Sequence, residues 1–521
     1  MVMERLEKKK ISGREYYYYS AWGWKNGKCR RLWQKYLGKL EDIVTAVEGG
    51  GPPPAYAEVF EFGLTEALWR EAERIDVVET VDELCPKRQQ GLSVGQYLAV
   101  AAANRAAEPV SKRAMWDWFS ATALLRHVAG ATQDALSSQR LWDHMKRVNE
   151  KKNRDIWRKI IAKLFERGQV SLSDISYDGT NFYTFINTFN VRSSLARRGK
   201  NKQGRSNLRQ VSYALFCTRD AGIPLFYDVY EGNVNDARQF PVMCQRFAEF
   251  IAEVTGRRPD ERSTTLIFDK GNNSRDNIKL LDKLKFQFIG SVKLDEHRDL
   301  AEISNGDERF TACQSSELTG IKAFETRKVI YGKGRRVVVA WNQELFDNQW
   351  RTLQKDIDKA LSGLSELKQR LDDGAQGLTR GGRAPTTESV TKQCNEIRSR
   401  QYLKQIISVE VTARKKAPRL TYETDTEALI RLADTFLGKK LIVTNDTKRT
   451  LEELIIAYHS QYVIEDVFKE MKDRKTGCWW PLNHWTDSQV RVHGLYCTIA
   501  ALLRALTLQQ LRRAGMKLSM R

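Results

Sequence analysis

Three acidic residues stand where an apolar run gives way to polar chain. Asp178 follows the strand-like stretch Gln169 to Tyr177 (QVSLSDISY), and Asp269 closes the short apolar run Thr264 to Phe268. Glu465 lies within Leu451 to Lys472, LEELIIAYHSQYVIEDVFKEMK, which has no Gly or Pro and reads as one helix. At about 100° per residue, Tyr458, Gln461, Glu465 and Lys472 fall within roughly 60° of one another. Beside them runs an apolar stripe of Ala457, Ile464, Val467, Phe468 and Met471. A carboxylate half-buried at that border needs a metal ion, a cation or a hydrogen bond. Taken alone, the helix reads as an ordinary amphipathic one with Glu465 on its wet edge. Gathered in one cleft, three carboxylates would repel one another, and desolvation would raise their pKa values. Shared divalent cations would keep them ionised, and oxygen-only ligands suit Mg²⁺, with Mn²⁺ as a substitute. Two ions about 3.5–4 Å apart can activate an attacking oxygen and stabilise a leaving one at phosphorus.

The surrounding elements must bring these acids together. After the strand at 169–177, Val211 to Cys217 and Ile223 to Tyr230 read as strands joined by a tight turn. Ala237 to Val254 reads as a helix, Thr264 to Phe268 as a strand, Arg275 to Leu284 as a helix and Phe286 to Val292 as a strand. With the helix at 451–472, this is the order of a ribonuclease-H-like α/β domain. In that fold, acids from the ends of the first and fourth strands meet a third on a late helix. Asp269 and Glu465 lie 196 positions apart, against 91 between Asp178 and Asp269, so the second gap holds an insertion. It reads as a hairpin (322–330 and 335–341) closed at Gly332-Lys333-Gly334. A coiled-coil-like seam follows, from Phe346 through Leu353, Ile357, Ala360, Leu364 and Leu367 to Leu371. A Gly-rich turn, a return helix at Thr387 to Lys404 and a strand at Gln405 to Thr412 come next. A helix at 427–437 and a strand at 440–444 then lead back to Leu451.

Charge speaks to the partner. The 521 residues carry a formal net charge of +21 with a pI near 9.5, which points to a polyanion such as nucleic acid. A basic loop at 190–209 contains Arg197, Arg198, Lys200, Lys202 and Arg205 and no acid. It reads as a solvated loop or as a grip on DNA. Residues 14–37 are aromatic and basic around Asn26-Gly27, a hairpin-turn dipeptide. That segment reads as a β-hairpin, either packing or lying on a phosphate backbone. Gly49 to Pro54 is a break, and 64–168 is helical in pattern, ahead of the core. Eight scattered cysteines form no Cys-x2-Cys pair, and His484 and His493 read as structural. No run approaches a membrane span and MVMERLEKKK is no signal peptide, so a cytoplasmic protein is expected.

The three contexts YDGTNFYTF, LIFDKGN and YVIEDVFKEMK resemble those of insertion-sequence transposases with a DDE active site. The subgroup is the one with a Tyr-Arg-Glu-Lys signature helix and a long insertion. The segments ARRGKNKQGRSNL, FYDVYEGNVND and HWTDSQVRVHGL are similar as well, and the resemblance covers about 170–505, more weakly 10–50. It implies catalytic, metal-holding roles for Asp178, Asp269 and Glu465, with two Mg²⁺ ions, and DNA contacts from Tyr458, Gln461 and Lys472. It further implies a bacterial or archaeal, nucleoid-associated enzyme. Such an enzyme binds inverted repeats at transposon ends, cuts them and joins them to target DNA, as a homodimer on DNA. Gln461 stands where the pattern has Arg and cannot supply its charge or its fork. A catalytically inactive DNA-binding descendant, or a metal-dependent nuclease without joining, is the alternative. The expected architecture is a β-hairpin segment at 1–50, a helical DNA-binding domain at 55–168 and a ribonuclease-H-like core at 169–295 and 446–521. A β-rich insertion with a helical hairpin arm occupies 296–445.

Overall fold

The computed structural model describes residues 2–25, 28–49, 58–87, 91–200, 204–205, 207–256, 264–378, 384–475, 477, 479–480 and 482–516. The chain divides into two compact units. The first comprises Met1–Leu164, Thr184–Ser194 and Lys469–Arg521, and the second Phe165–Tyr183 and Leu195–Phe468. No helix among the described residues is long and apolar enough to cross a membrane.

The first unit opens on an antiparallel sheet of β1 (Val2–Ile11), β2 (Arg14–Lys25) and β3 (Lys28–Gly38), followed by α1 (Leu40–Glu48). The sequence predicts only the hairpin β2–β3. Its turn dipeptide Asn26-Gly27 and the break at Gly50–Pro54 lie outside the described residues. Helices α2 (Gly63–Arg74), α3 (Val77–Leu84), α4 (Val94–Ala107), α5 (Met115–Ser120), α6 (Ser138–Met145) and α7 (Glu150–Glu166) follow. Within the stretch 64–168 that reads as helical, 138–166 is thus two helices, and 112–125 is one short helix between single turns. The Ala-rich α4 is buried along most of its length, because small side chains let its neighbours approach on every side.

The second unit holds β4 (Asp174–Tyr183), β5 (Gln210–Thr218), β6 (Pro224–Glu231), α8 (Asp236–Thr255), β7 (Thr265–Phe268), α9 (Arg275–Lys283) and β8 (Gln287–Val292). After α10 (Arg298–Ala301) come β9 (Thr311–Ala312), β10 (Ile321–Ile330), β11 (Lys333–Asn342), α11 (Gln343–Gln376), α12 (Thr387–Ile397) and α13 (Leu403–Ile406). Then β12 (Ile407–Thr412), β13 (Arg419–Thr424), α14 (Thr426–Thr435) and β14 (Lys439–Thr444) lead to α15 (Leu451–His459) and α16 (Tyr462–Lys472). The C-terminal α17 (Asp487–Arg513) returns to the first unit and packs on α4. Its buried His493 is bonded to the Trp479 carbonyl at 2.7 Å, and His484 is equally buried, the structural positions expected for both.

Among the described residues the main sheet has nine strands in the order β6-β5-β4-β7-β8-β14-β11-β10-β9. β4, β5 and β6 are antiparallel neighbours, and β7 and β8 run parallel to β4. β5 is buried throughout, so its sequence is apolar on both faces rather than alternating. One face packs Tyr177, Phe216 and Phe268 against Phe240 and Phe247 of α8. On the other, Ile267, Ile289, Val338 and Ile442 meet Leu454, Ile455 and Tyr458 of α15. The insertion does not build a separate main sheet. β14 pairs antiparallel with β8 and the β10–β11 hairpin continues outward from it. Only the small β12–β13 sheet stands apart, in a cluster with the seam of α11. The predicted return helix stops at Ile397, with Tyr402 at φ 70°, and β13 is a strand that sequence pattern does not predict.

Candidate active site

The sheet register decides which way each acid points. Ser176 of β4 lies beside Ile267 of β7 in a parallel pair. Ile267 packs on α15, so Ser176 and, two residues on, Asp178 face the same side. Asp269 is two residues past Ile267 with extended backbone (φ −73°, ψ 158°), which carries the alternation to it. Thr180 opposes Tyr213 of β5, and the Tyr213 ring meets Phe468 of α16 edge-on at 6.2 Å. α16, the bearer of Glu465, therefore covers the face from which Asp178 and Asp269 project. Its Val463 and Val467 rest against the β5–β6 turn at Gly222, where an added Cβ would meet them at 3.2 and 3.0 Å.

The structure differs from the sequence reading in where the acids sit along their elements. β4 runs from Asp174 to Tyr183, so Asp178 lies inside the strand and not at its end. Asp269 caps a single 3₁₀ turn, accepting from its own next amide, Lys270, at 2.7 Å. The helix expected over 451–472 is broken at Ser460-Gln461 into α15 and α16. The Ser460 hydroxyl bonds back to the Ala457 carbonyl at 2.6 Å, a competition with the helix ladder that serine readily makes. Glu465 lies on the exposed edge of α16, beside the buried stripe Ile464, Phe468 and Met471.

Tyr458 is consequently not on the exposed face with Glu465. It is 6% exposed, its hydroxyl donates to Ser291 Oγ at 2.8 Å, and burial pushes its pKa up to about 12. Asn273, just after Asp269, donates to the Ser291 carbonyl. One serine of β8 thus ties both the Asp269 turn and α15 to the sheet. The start of β4 is held as firmly, because Asp174 is paired with Arg219 (2.8 Å) and Arg449.

Lys440 is a member of this neighbourhood that no sequence signal picks out. It opens onto solvent on β14, with its ammonium 5.5 Å from the centre of the Tyr458 ring. Burial of its surroundings pushes its pKa below the ordinary lysine value, and the nearby carboxylates of Asp269 and Glu465 pull it back up. Two of the three acids are therefore close enough to Lys440 to feel its charge. Among the described residues, no three acidic, histidine or cysteine side chains stand close enough to hold a metal ion together. The donor set, two carboxylates on one side of the sheet and a third on the helix that covers it, is chemically that of a hard divalent cation, whereas the side chains as placed are not gathered into a ligand cluster.

From Leu195 on, the basic loop is counted with the same unit. Arg197 exchanges backbone hydrogen bonds with Gln210 (2.9 and 2.8 Å), and Arg209 is buried with Nε on the Ala196 carbonyl at 2.6 Å. Arg197, Arg198, Lys200 and Arg205 remain exposed, Arg205 lying 5.6 Å from the Tyr183 ring centre. Lys202 lies outside the described residues. Gln461 precedes α16 and accepts the Glu465 amide on its carbonyl at 3.3 Å, while its side-chain Nε2 is buried and unpaired. Lys472 is the last residue of α16 and is counted with the first unit.

A family model described as a transposase DDE domain matches residues 172–503. The chain belongs to this family of transposases. The match spans Asp178, Asp269 and Glu465 together with everything between them. No curated protein matches the chain. Among solved structures, this transposase is similar to a piggyBac transposase in a synaptic complex with hairpin DNA, at 9% identity and a TM-score of 0.36. That similarity covers 88% of this chain and 77% of that one, and at such a level it adds nothing to the family assignment.

Proposed function

We propose that the protein is a DNA transposase whose ribonuclease-H-like core cuts transposon ends and joins them to target DNA. The observation that supports this reading is that Asp178 and Asp269 face one side of the sheet and that α16, which carries Glu465, covers that side, all three acids lying inside a transposase-domain match. The strand order β6-β5-β4-β7-β8, with three antiparallel strands followed by two parallel ones, supports the core assignment. The three carboxylates would hold the divalent ions, Mg²⁺ or Mn²⁺, and when bound these supply charge stabilisation to the attacking and leaving oxygens of an in-line displacement.

The remaining work falls to the chain. Ser291 holds the Asp269 turn and α15 in register, and the Asp174–Arg449 pair fixes β4 beside them. Lys440 balances Asp269 and Glu465 until a cation is taken up. Arg197, Arg198, Lys200 and Arg205 grip backbone phosphates, and Lys472 binds end DNA. Tyr458, in the core, is left out of the DNA contacts. Two protomers act together, since two ends must be joined. The test is a gel assay with Mg²⁺ on DNA carrying the inverted repeats that flank the gene. Wild type is expected to give cleaved and joined products, while Asp178→Ala, Asp269→Ala and Glu465→Ala each lose both by at least a hundredfold with end binding retained. Cleavage at wild-type rate in any of the three variants removes that residue from the site. Cleavage without joining by the wild type identifies a nuclease.

A further inference from the structure

We infer that one face of the N-terminal β1–β2–β3 sheet is a docking surface for duplex DNA, and that its charged side chains are pre-set for phosphates rather than for stacking bases. The inference rests on the transposase reading only in taking DNA as the partner.

Opposed residues of an antiparallel pair share a face. The registers Glu7↔Tyr18, Lys9↔Tyr16, Arg5↔Ser20, Trp22↔Arg31 and Tyr18↔Tyr36 therefore place Arg5, Lys9 and Arg31 on one face with Tyr18, Trp22 and Tyr36. Glu7 organises that face, accepting from Arg5 Nε (2.9 Å), Trp22 Nε1 (2.8 Å) and Gln34 Nε2 (2.9 Å). The guanidiniums of Arg5 and Arg31 lie over the Trp22 ring at 4.8 and 5.9 Å, and the Lys9 ammonium lies 4.6 Å from the Tyr18 ring centre. Arg5 is nonetheless 54% exposed and Arg31 is exposed, so their charged ends stay open to a partner.

Three observations choose that partner. A three-stranded sheet this open gains little from its own core, so a ligand that orders it adds stability. Met1 to Lys39 carry eleven Lys and Arg against three Glu, which selects a polyanion. Single strands bind by stacking bases on free aromatic faces. Here Trp22 and Tyr18 already carry cations over their rings, which leaves ordered charge for the backbone of a duplex.

The opposite face offers an internal control, because it carries Lys8, Lys10 and Lys35. The experiment measures binding of the full chain to a short mixed-sequence duplex, and to one of its strands, in EDTA across a salt series. Arg5→Ala/Lys9→Ala/Arg31→Ala is expected to weaken duplex binding at least tenfold and flatten the salt slope by about 3, at about 0.9 per phosphate contact. Lys8→Ala/Lys10→Ala/Lys35→Ala is expected to change binding less than threefold. Equal loss from the two triples, or none from the first, overturns the proposal, as does a loss confined to the single strand. A second readout needs no variant: acetylation of wild type should show Lys9 protected by duplex while Lys8 and Lys10 stay reactive, and the reverse pattern overturns it. Failure here leaves cleavage by the wild type intact, whereas failure of the transposase reading appears as absent cleavage whatever this face binds.

Discussion

Lys112 shows how much a single side chain can depend on its surroundings. It is 8% exposed, with its Nζ 2.9 Å from His484 Nε2 and Arg105 close by. Burial, reinforced by the Arg105 charge, lowers its pKa to about 7, while burial holds the His484 ring neutral. An unfolded lysine titrates near 10.5. Between those values the unfolded chain binds a proton that the folded chain does not, so stability rises with pH across the window and is flat below it. Urea unfolding at pH 7, 8 and 9 should show wild type gaining on Lys112→Met by up to about 1.4 kcal/mol per pH unit. A difference that does not change with pH would mean that Lys112 stays charged when folded. The sequence gives no warning of this lysine, nor of Lys440, because each owes its setting to partners far along the chain. Glu465 was legible for the opposite reason, since its place beside an apolar stripe is written in its immediate neighbours.

The same distinction holds for whole elements. The seam of α11 is local: its predicted members Leu353, Ile357, Ala360, Leu364, Leu367 and Leu371 are buried, while Phe346 and Trp350 at its start are half-buried. Asp178-Gly179 reads as a strand end because Asp and Gly punctuate chains, yet β4 runs on to Tyr183, since β5 supplies partners as far as Gln210. The break at Ser460 lies among middling helix formers, Tyr458, His459, Tyr462 and Val463, none of which stops a helix by itself. It is imposed by packing: Tyr458 must reach Ser291 while Ile464, Phe468 and Met471 form the buried side of α16. The pairing of β14 with β8 joins segments about 150 residues apart, and no local pattern announces it. The seam invites a direct test. Leu364 is fully buried in the cluster that joins α11, α12 and β12–β13. Leu364→Ala should cost about 2–5 kcal/mol locally. Amide exchange should then accelerate in α11 and β12–β13 and stay unchanged in β4, β7 and β8. Unchanged exchange in α11 would mean that the arm is held by contacts other than its seam.

At the scale of the molecule the net charge of +21 is unevenly used. Many of the 86 lysines and arginines are paired with acids within the fold, as in Arg335–Asp282 and Arg336–Glu325, and such cations release no counterions when DNA arrives. What counts are the cations that reach solvent: exposed Arg197, Arg198, Lys200 and Arg205 on the loop, with exposed Arg31, half-buried Lys9 and the exposed, Glu7-bonded Arg5 on the N-terminal sheet. If these seven neutralise one phosphate each, log K should fall with log salt at a slope near −6, taking about 0.9 per contact. Affinity would then drop on the order of 10³- to 10⁴-fold between 50 and 200 mM salt. The slope is more informative than the affinity, because it counts contacts instead of summing their strengths. A full-chain slope shallower than about −4 would mean that one of the two basic surfaces stays off the DNA. Repeating the series with the loop cations changed to alanine would then say which: a slope near −3 leaves the sheet engaged, and a slope near zero shows that the loop alone was bound.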